Sequence, residues 1–490
     1  MRASRKFAFD ISITFAASVM SMFLNFAVII LLGRYLGADN LGLYRMTSTI
    51  FAISILVAGI GIPGTMTKYT AEFKEDKTRF SQIISSGLVI SLILGIVCTG
   101  TIYFSSGILA HVFHMPELSF LLKVLSPVFP FALTAGVLLG LLNGLRKMKK
   151  HGTARIFQSA LMIGVTTLLF YCGFGVHGAV WGIVLSSVGY CFLLTWFCRT
   201  YLKITFQKFT NTAKELLAFG SQIFGANAIN LINYRADTIL IGYFLTAAAV
   251  GQYAVAVQLS EFFWLIPNAV QTITYPATSE FWSKNNIGAL QKMIDKSIKY
   301  AACILLPIAV GVGVFAESII SFLFGKGFSE AILPLQILLV GTAIQGATIR
   351  AVGGSLTGVG RPDISLKLVV VSATTNIVLN VLLIPRFGIA GAAATTTLSL
   401  LLNTVLGLFF IRRILKVKID VKWIAKLAAI TMMALLAFSL PWAGSHGVNL
   451  VILGAYIAII FLVLTTKEDR KYFAELIHDA FTLLERYRLK

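Results

Sequence analysis

Apolar runs of about 20 residues recur from one end of this chain to the other, and no other feature limits its fold so strongly. A run of that length, wound as a helix, spans the hydrocarbon of a bilayer. Fourteen such stretches can be placed, at about 7–32, 41–62, 80–105, 121–145, 153–171, 177–199, 214–242, 248–275, 291–315, 329–356, 364–384, 388–411, 422–440 and 447–465. Composition follows from this. The 490 residues are 57% hydrophobic and 12% charged, against roughly 45–50% apolar and about 25% charged in soluble domains. A water-soluble enzyme is excluded, and the connections are too short to hold a folded domain outside the membrane. The longest are expected at about residues 107–120 and 276–290. Arg2, Arg5 and Lys6 precede an apolar stretch as in a signal peptide, but Phe7 to Leu32 lacks a small-residue cleavage site and reads as the first span.

A formal net charge of +21 would point to nucleic acid in a soluble protein. Here the placement of the charges gives another reading. If successive connections alternate sides, 35 of the 41 Lys and Arg residues fall on the side that holds the N-terminus. Cytoplasmic connections collect basic residues, so both termini are expected inside and nucleic-acid binding is not. The tail 467–490 spaces Phe473, Leu476, Ile477, Ala480, Phe481 and Leu484 along one helical face, as an amphipathic helix on the cytoplasmic surface would. The five cysteines form no C-x-x-C pair, and His111 and His114 have no further ligands, so neither a metal site nor a cofactor is expected.

The chain also repeats itself. Gly33, Leu36, Ala38, Gly42 and Tyr44 match Gly242, Leu245, Ala247, Gly251 and Tyr253 at a constant separation of 209. Gly140 and Gly144 match Gly354 and Gly358, and Phe174-Gly175 with Gly178-Ala179 matches Phe387-Gly388 with Gly391-Ala392, at separations of 214 and 213. Ordered matches at one period signify duplication. The expected fold is an all-α polytopic membrane protein of about 14 transmembrane helices. Two parallel-related six-helix bundles occupy 1–209 and 210–418, an additional helix pair 419–466, and the cytoplasmic amphipathic helix 467–490. Secondary transporters rock two such repeats about a central site. The shared glycines are read as parts of the fold.

Polar residues that the repeat does not share are the better candidates for function. On the seventh span Asn227, Asn230, Asn233 and Asp237 stand 3, 3 and 4 apart and so share a helical face. Arg235 points elsewhere, since residues two apart diverge by roughly 200°. Subtracting 209 sets Asn227, Asn230, Asn233, Arg235 and Asp237 against Ser18, Ser21, Leu24, Phe26 and Val28. Charges in a span cost about 2.5–3.5 kcal/mol on insertion scales and mark pathways or buried partners. Asn25, Arg45, Glu261 and Arg350 complete the candidates, with Glu261 able to take up a proton or to pair with Arg235. The alternative for each is an inter-helix bond or an interfacial position.

The stretches GRYLGADNLGLY (Gly33 to Tyr44), RADTILIGYFLTAAAVGQY (Arg235 to Tyr253) and GLLNGLRKMKKHG (Gly140 to Gly152) resemble the multidrug/oligosaccharidyl-lipid/polysaccharide exporter superfamily, in particular its polysaccharide-transporter branch of O-antigen-type flippases. The resemblance covers nearly the whole chain. It implies a pair of six-helix bundles, alternating access, and movement of a polyprenyl-diphosphate-linked oligosaccharide from the inner to the outer leaflet of the cell membrane. The extra helix pair favours the lipid-linked branch, since drug-exporting relatives generally have twelve spans. Under this reading Arg45, Arg235 and Arg350 are expected to meet the diphosphate or anionic sugars, because guanidinium stays charged and binds phosphate in bidentate fashion. The expected partners are the lipid-linked glycan, membrane lipids, and a polysaccharide polymerase or other assembly proteins. Competing readings are a multidrug-type exporter of small cations and a non-transport component of an assembly complex; a glycan polymerase would need a large external loop or a catalytic cluster, which the chain lacks.

Overall fold

The structure, a computed structural model, describes residues 2–440, 445–466 and 469–470, without the side chains of residues 2–12, 226, 230 and 233. Nearly all of the expected surface helix 467–490 lies outside the described residues. Every regular element among the described residues is helical. Eleven helical stretches among them are long and apolar enough to cross a membrane. The protein is a multi-pass membrane protein of the cell membrane.

The first half comprises α1 (Arg2–Gly59), α2 (Ile62–Glu72), α3 (Lys77–Val112), α4 (Pro116–Leu125), α5 (Phe129–Gly144), α6 (Met148–Tyr171) and α7 (Gly175–Cys198). The second comprises α8 (Phe209–Phe244), α9 (Ala247–Glu261), α10 (Leu265–Ser283), α11 (Ile287–Val314), α12 (Ala316–Phe324), α13 (Ile332–Gln345), α14 (Gly354–Gly358) and α15 (Pro362–Leu415). The chain then adds α16 (Val421–Phe438) and α17 (His446–Leu464). At 58 and 54 residues, α1 and α15 far exceed one bilayer crossing, and each is broken by a glycine outside helical geometry: Gly37 (φ 79°) and Gly388 (φ 60°). Only glycine enters that region of φ without a Cβ penalty. Two connections are more helical than expected. Helix α3 runs on to Val112 and α10 passes through Pro276 to Ser283, because hydropathy marks where a helix leaves the hydrocarbon and not where its backbone hydrogen bonding ends.

The described residues form two compact units. The first contains Met1–Leu259, Ile320–Leu338 and Val369–Ser399; the second contains Ser260–Ile319, Leu339–Leu368 and Leu400–Lys490. The core of the first unit joins Ile62, Met66, Ile83, Leu138, Leu141 and Leu194 with Leu216 of α8, all buried. Glycines permit its closest helix crossings. A Cβ on Gly140 would overlap the Pro63 carbonyl and one on Gly144 would overlap the Thr70 hydroxyl, while Thr67 Oγ1 donates to Gly140 O at 3.3 Å.

In the second unit the repeat-equivalent glycines do the same. Gly354 and Gly358 lie against Tyr275, with a Cβ on Gly358 3.0 Å from its carbonyl oxygen, and Ser279 Oγ donates to Gly358 O at 2.9 Å. The extra helices are tied to this unit by polar staples. Trp423 Nε1 donates to Leu464 O at 3.0 Å, Tyr300 to Asp469 Oδ1 at 2.6 Å, and Lys299 meets Asp420 at 3.4 Å. Asp420 also caps α16 by accepting the Trp423 N–H, which is the main cause holding its carboxyl below the ordinary aspartate range.

Candidate functional site

Asp237 is the centre of the most developed polar cluster in the first unit. Helix α8 carries it, and at 7% exposure the carboxylate is cut off from solvent. Three side chains donate to it: Asn380 Nδ2 to Oδ1 at 2.6 Å, and Thr396 Oγ1 at 2.6 Å and Tyr253 OH at 2.9 Å to Oδ2. Asn376 extends the network, accepting from Asn380 at 3.0 Å and donating to Thr396 at 3.3 Å. Asn376 and Asn380 stand one turn apart on the first part of α15 and Thr396 beyond its Gly388 break, so that kinked helix supplies three of the four groups.

The carboxylate at the centre of this network belongs to the second half of the chain alone. The positions corresponding to Asp237, Asn376 and Thr396 in the first half, at the separations found in the sequence, are the apolar Val28, Ile163 and Ile183, while Tyr253 and Asn380 correspond to the polar Tyr44 and Thr167. A buried carboxylate without a neutralising cation is costly unless it is richly hydrogen-bonded. Here three donors supply that bonding, while the Asn380 amide oxygen is buried with no hydrogen-bond partner. Asn380 turns its NH2 group and Thr396 and Tyr253 their hydroxyls toward the carboxylate, so the one group of the cluster that can take up a proton is Asp237 itself.

Two guanidinium groups stand nearby. Arg45 and Arg235 both act electrostatically on Tyr44, and Arg45 also acts on Tyr253. These two tyrosines are repeat equivalents, and Tyr253 is itself a donor to Asp237. The Arg45 Nε is buried and has no hydrogen-bond partner, the usual condition of a donor that awaits an acceptor.

The other candidates are distributed differently. Asn25 and Asn227 are exposed on α1 and α8, and the side chains of Asn230 and Asn233 lie outside the described residues. Glu261 ends α9 in the second unit. Arg350, also in the second unit, closes a five-residue π-helical turn, Gly346–Arg350, a local widening common at functional positions. Its guanidinium lies 5.0 Å from the centre of the Trp264 ring, and its Nε donates to Asn268 at 3.2 Å. It is thus oriented by a cation–π contact and an amide before any ligand arrives. Asn376, Asn380, Thr396, Trp264 and Asn268 went unnoticed in the sequence, although the i, i+4 spacing of the two asparagines within an apolar span was a usable signal.

A cavity of about 280 Å³ in the second unit is lined by apolar side chains apart from Thr348 and Thr431. The extra helix α16 forms one wall with Trp423, Leu427, Ala428 and Met432, and Ala302 of α11 and Ala347 face it.

Residues 31–333 match the family described as "Polysaccharide biosynthesis protein". The chain belongs to that family. Its relatives include a protein of Haloferax volcanii named "Probable low-salt glycan biosynthesis flippase", 25% identical over 406 residues that make up 82% of this chain and 83% of the relative. Among solved structures, a lipid II flippase in an inward closed conformation superimposes with a TM-score of 0.74 at 16% identity, covering 96% of this chain and all of the other. An inward-facing multidrug exporter of the MATE family gives a TM-score of 0.69 at 17% identity but covers only 81% of this chain. This polysaccharide biosynthesis family member therefore has the fold of the multidrug/oligosaccharidyl-lipid/polysaccharide exporter superfamily.

Proposed function

We propose that the protein flips a polyprenyl-diphosphate-linked oligosaccharide from the inner to the outer leaflet, by alternating access of two six-helix lobes whose termini face the cytoplasm. The observation that carries this reading is the largely apolar cavity walled by α16. A lipid-linked glycan must keep its hydrocarbon tail in oil while its head crosses, and a small cationic drug needs no such groove. The head requires the opposite surroundings, for which Arg45 and Arg235 in the first unit, and separately Arg350 in the second, are candidate diphosphate contacts, with amide-bearing Asn25, Asn227, Asn230 and Asn233 as partners for sugar hydroxyls. Buried guanidinium groups also disfavour a cationic cargo.

The Asp237 cluster is then the coupling element, with Glu261 as a second protonatable group. Loading and unloading a proton at Asp237 would change its bonding to Asn380 and Thr396, and with it the bonding between α8 and α15, and so favour one arrangement of the lobes over another. The flippase names of the relatives and the near-complete superposition on a lipid II flippase support the same reading. Polysaccharide polymerases or other assembly proteins are the natural consumers of the flipped product.

The test is translocation in vesicles. Purified protein reconstituted with a fluorescent polyprenyl-diphosphate-linked glycan should render the label accessible to a membrane-impermeant quencher, whereas protein-free vesicles should not. Failure with isoprenoid-linked substrates, together with uptake of small cations, would overturn the assignment.

A further inference from the structure

Two glycines assigned to the fold by their recurrence meet each other in space. Gly42 on α1 and Gly251 on α9 are repeat equivalents, and so are Ala38 and Ala247. A Cβ added to Gly42 would overlap the Ala247 carbonyl oxygen, and one added to Gly251 would overlap the Ala38 carbonyl oxygen. The same two Cβ positions stand 3.0 Å from Gly251 N and from Gly42 N respectively. The contact is therefore self-complementary, an Ala-x-x-x-Gly patch from each repeat lying on its own equivalent. Spacing of this kind lets helix backbones touch, with Cα–H groups against carbonyl oxygens.

Each patch starts directly after a break in the helical backbone. Gly37 leaves helical geometry immediately before Ala38, and Leu245 (φ −125°, ψ −149°) ends α8 two residues before Ala247. Arg45 lies one turn beyond Gly42. A different contact joins α8 to the first half near its other end. There Gly61 and Gly220 are in backbone contact, and Arg79 pairs with Glu215 and donates to Thr212 at 3.2 Å.

We infer that the Ala38–Gly42 and Ala247–Gly251 patches are the outer gate of the transport path, a dry seal made by backbone atoms at the axis relating the repeats, and that the Arg79–Glu215 pair is its ionic counterpart on the inner side. The inference rests on the transport reading and the topology proposed above. A seal in which backbone meets backbone leaves no side-chain polar group stranded at the contact when it parts, and the adjacent backbone breaks let each patch swing without unwinding its helix. Opening it would uncover Arg45 for release of the cargo.

The test reads distances rather than transport. In a cysteine-free background, spin labels are placed at exposed Asp39 and Thr246 for the outer side and at exposed Lys77 and Lys214 for the inner side. Ligand-free protein should give a short outer distance. Gly42→Ala or Gly251→Ala should shift the closed-to-open ratio by about 5- to 150-fold toward a longer outer distance, as inserted methyl groups do in packed sites, with the inner distance unchanged. Glu215→Gln should lengthen only the inner distance. Outer distances that stay short in both glycine variants would overturn the gate. Lengthening of both pairs by either glycine variant would show general loosening and would equally overturn it. Because no substrate is present, a wild-type protein that fails to flip lipid-linked glycan would sink the function and leave the distance results standing.

Discussion

Replacing Asp237 separates the structural role of its cluster from the role of its charge. Asp237→Ala removes the acceptor of three hydrogen bonds, those from Asn380, Thr396 and Tyr253, and strands their donors in a buried site. Side-chain bonds between membrane helices average about 0.6 kcal/mol, while bonds in folded proteins reach about 1.5. The loss for three is thus roughly 2 to 4.5 kcal/mol. Asp237→Asn keeps the shape and one acceptor for the Asn380 amide. The hydroxyls of Thr396 and Tyr253 can turn to accept from the new NH2 group, since a hydroxyl both donates and accepts. Its cost should stay below about 1.5 kcal/mol. Thermal unfolding of the purified protein in detergent, followed by tryptophan fluorescence, should rank wild type and Asn close together and Ala well below. Translocation in vesicles should be lost in both variants when corrected for folded protein. If Asn destabilises as much as Ala, or if the Asn variant flips its substrate at the wild-type rate, the proposed coupling role is wrong.

Arg350→Lys keeps a positive charge but loses the planar group held by Trp264 and Asn268. Translocation is expected to fall about 10- to 150-fold, the equivalent of roughly 1.5–3 kcal/mol for a charged hydrogen bond, and a fall no larger than twofold would remove Arg350 from the path. Ala428→Trp fills the apolar cavity, so substrates with a long isoprenoid tail should be flipped about tenfold more slowly, a loss of ~1.4 kcal/mol of apolar contact. Short-tailed analogues should be unaffected; equal slowing of both would argue against a tail groove. The folded state holds the Asp420 carboxyl below its ordinary range, so its contribution is present above the unfolded-state value and is lost as pH falls through the folded one. The difference in melting temperature between wild type and Asp420→Ala should therefore be constant near neutrality and shrink below about pH 4, which a pH series of thermal scans would show.

Several properties of this protein are local and could be read directly. Bilayer-length apolar runs dictate helices because each helix satisfies its own backbone hydrogen bonds, whatever its neighbours. Basic connections and the repeated glycines are likewise legible, since they depend on residue type and spacing. The sequence also pointed to Asp237 as a residue the duplication does not require. What it misjudged were helix ends such as that of α10, where polar residues continue a helix begun by an apolar run.

Other properties were decided only by the fold. The partners of Asp237 lie 143 and 159 residues away at Asn380 and Thr396, and nothing in the local pattern of α8 specifies which distant helix will donate to it. The same holds for Arg350, whose direction depends on a π-helical turn and on Trp264. Gly42 and Gly251 show the division most clearly. Their equivalence is visible in the sequence as a constant separation, but their contact is not. Two equivalent patches meet only if the repeats are brought together about an axis that passes between them, and that axis is set by the packing of the whole unit.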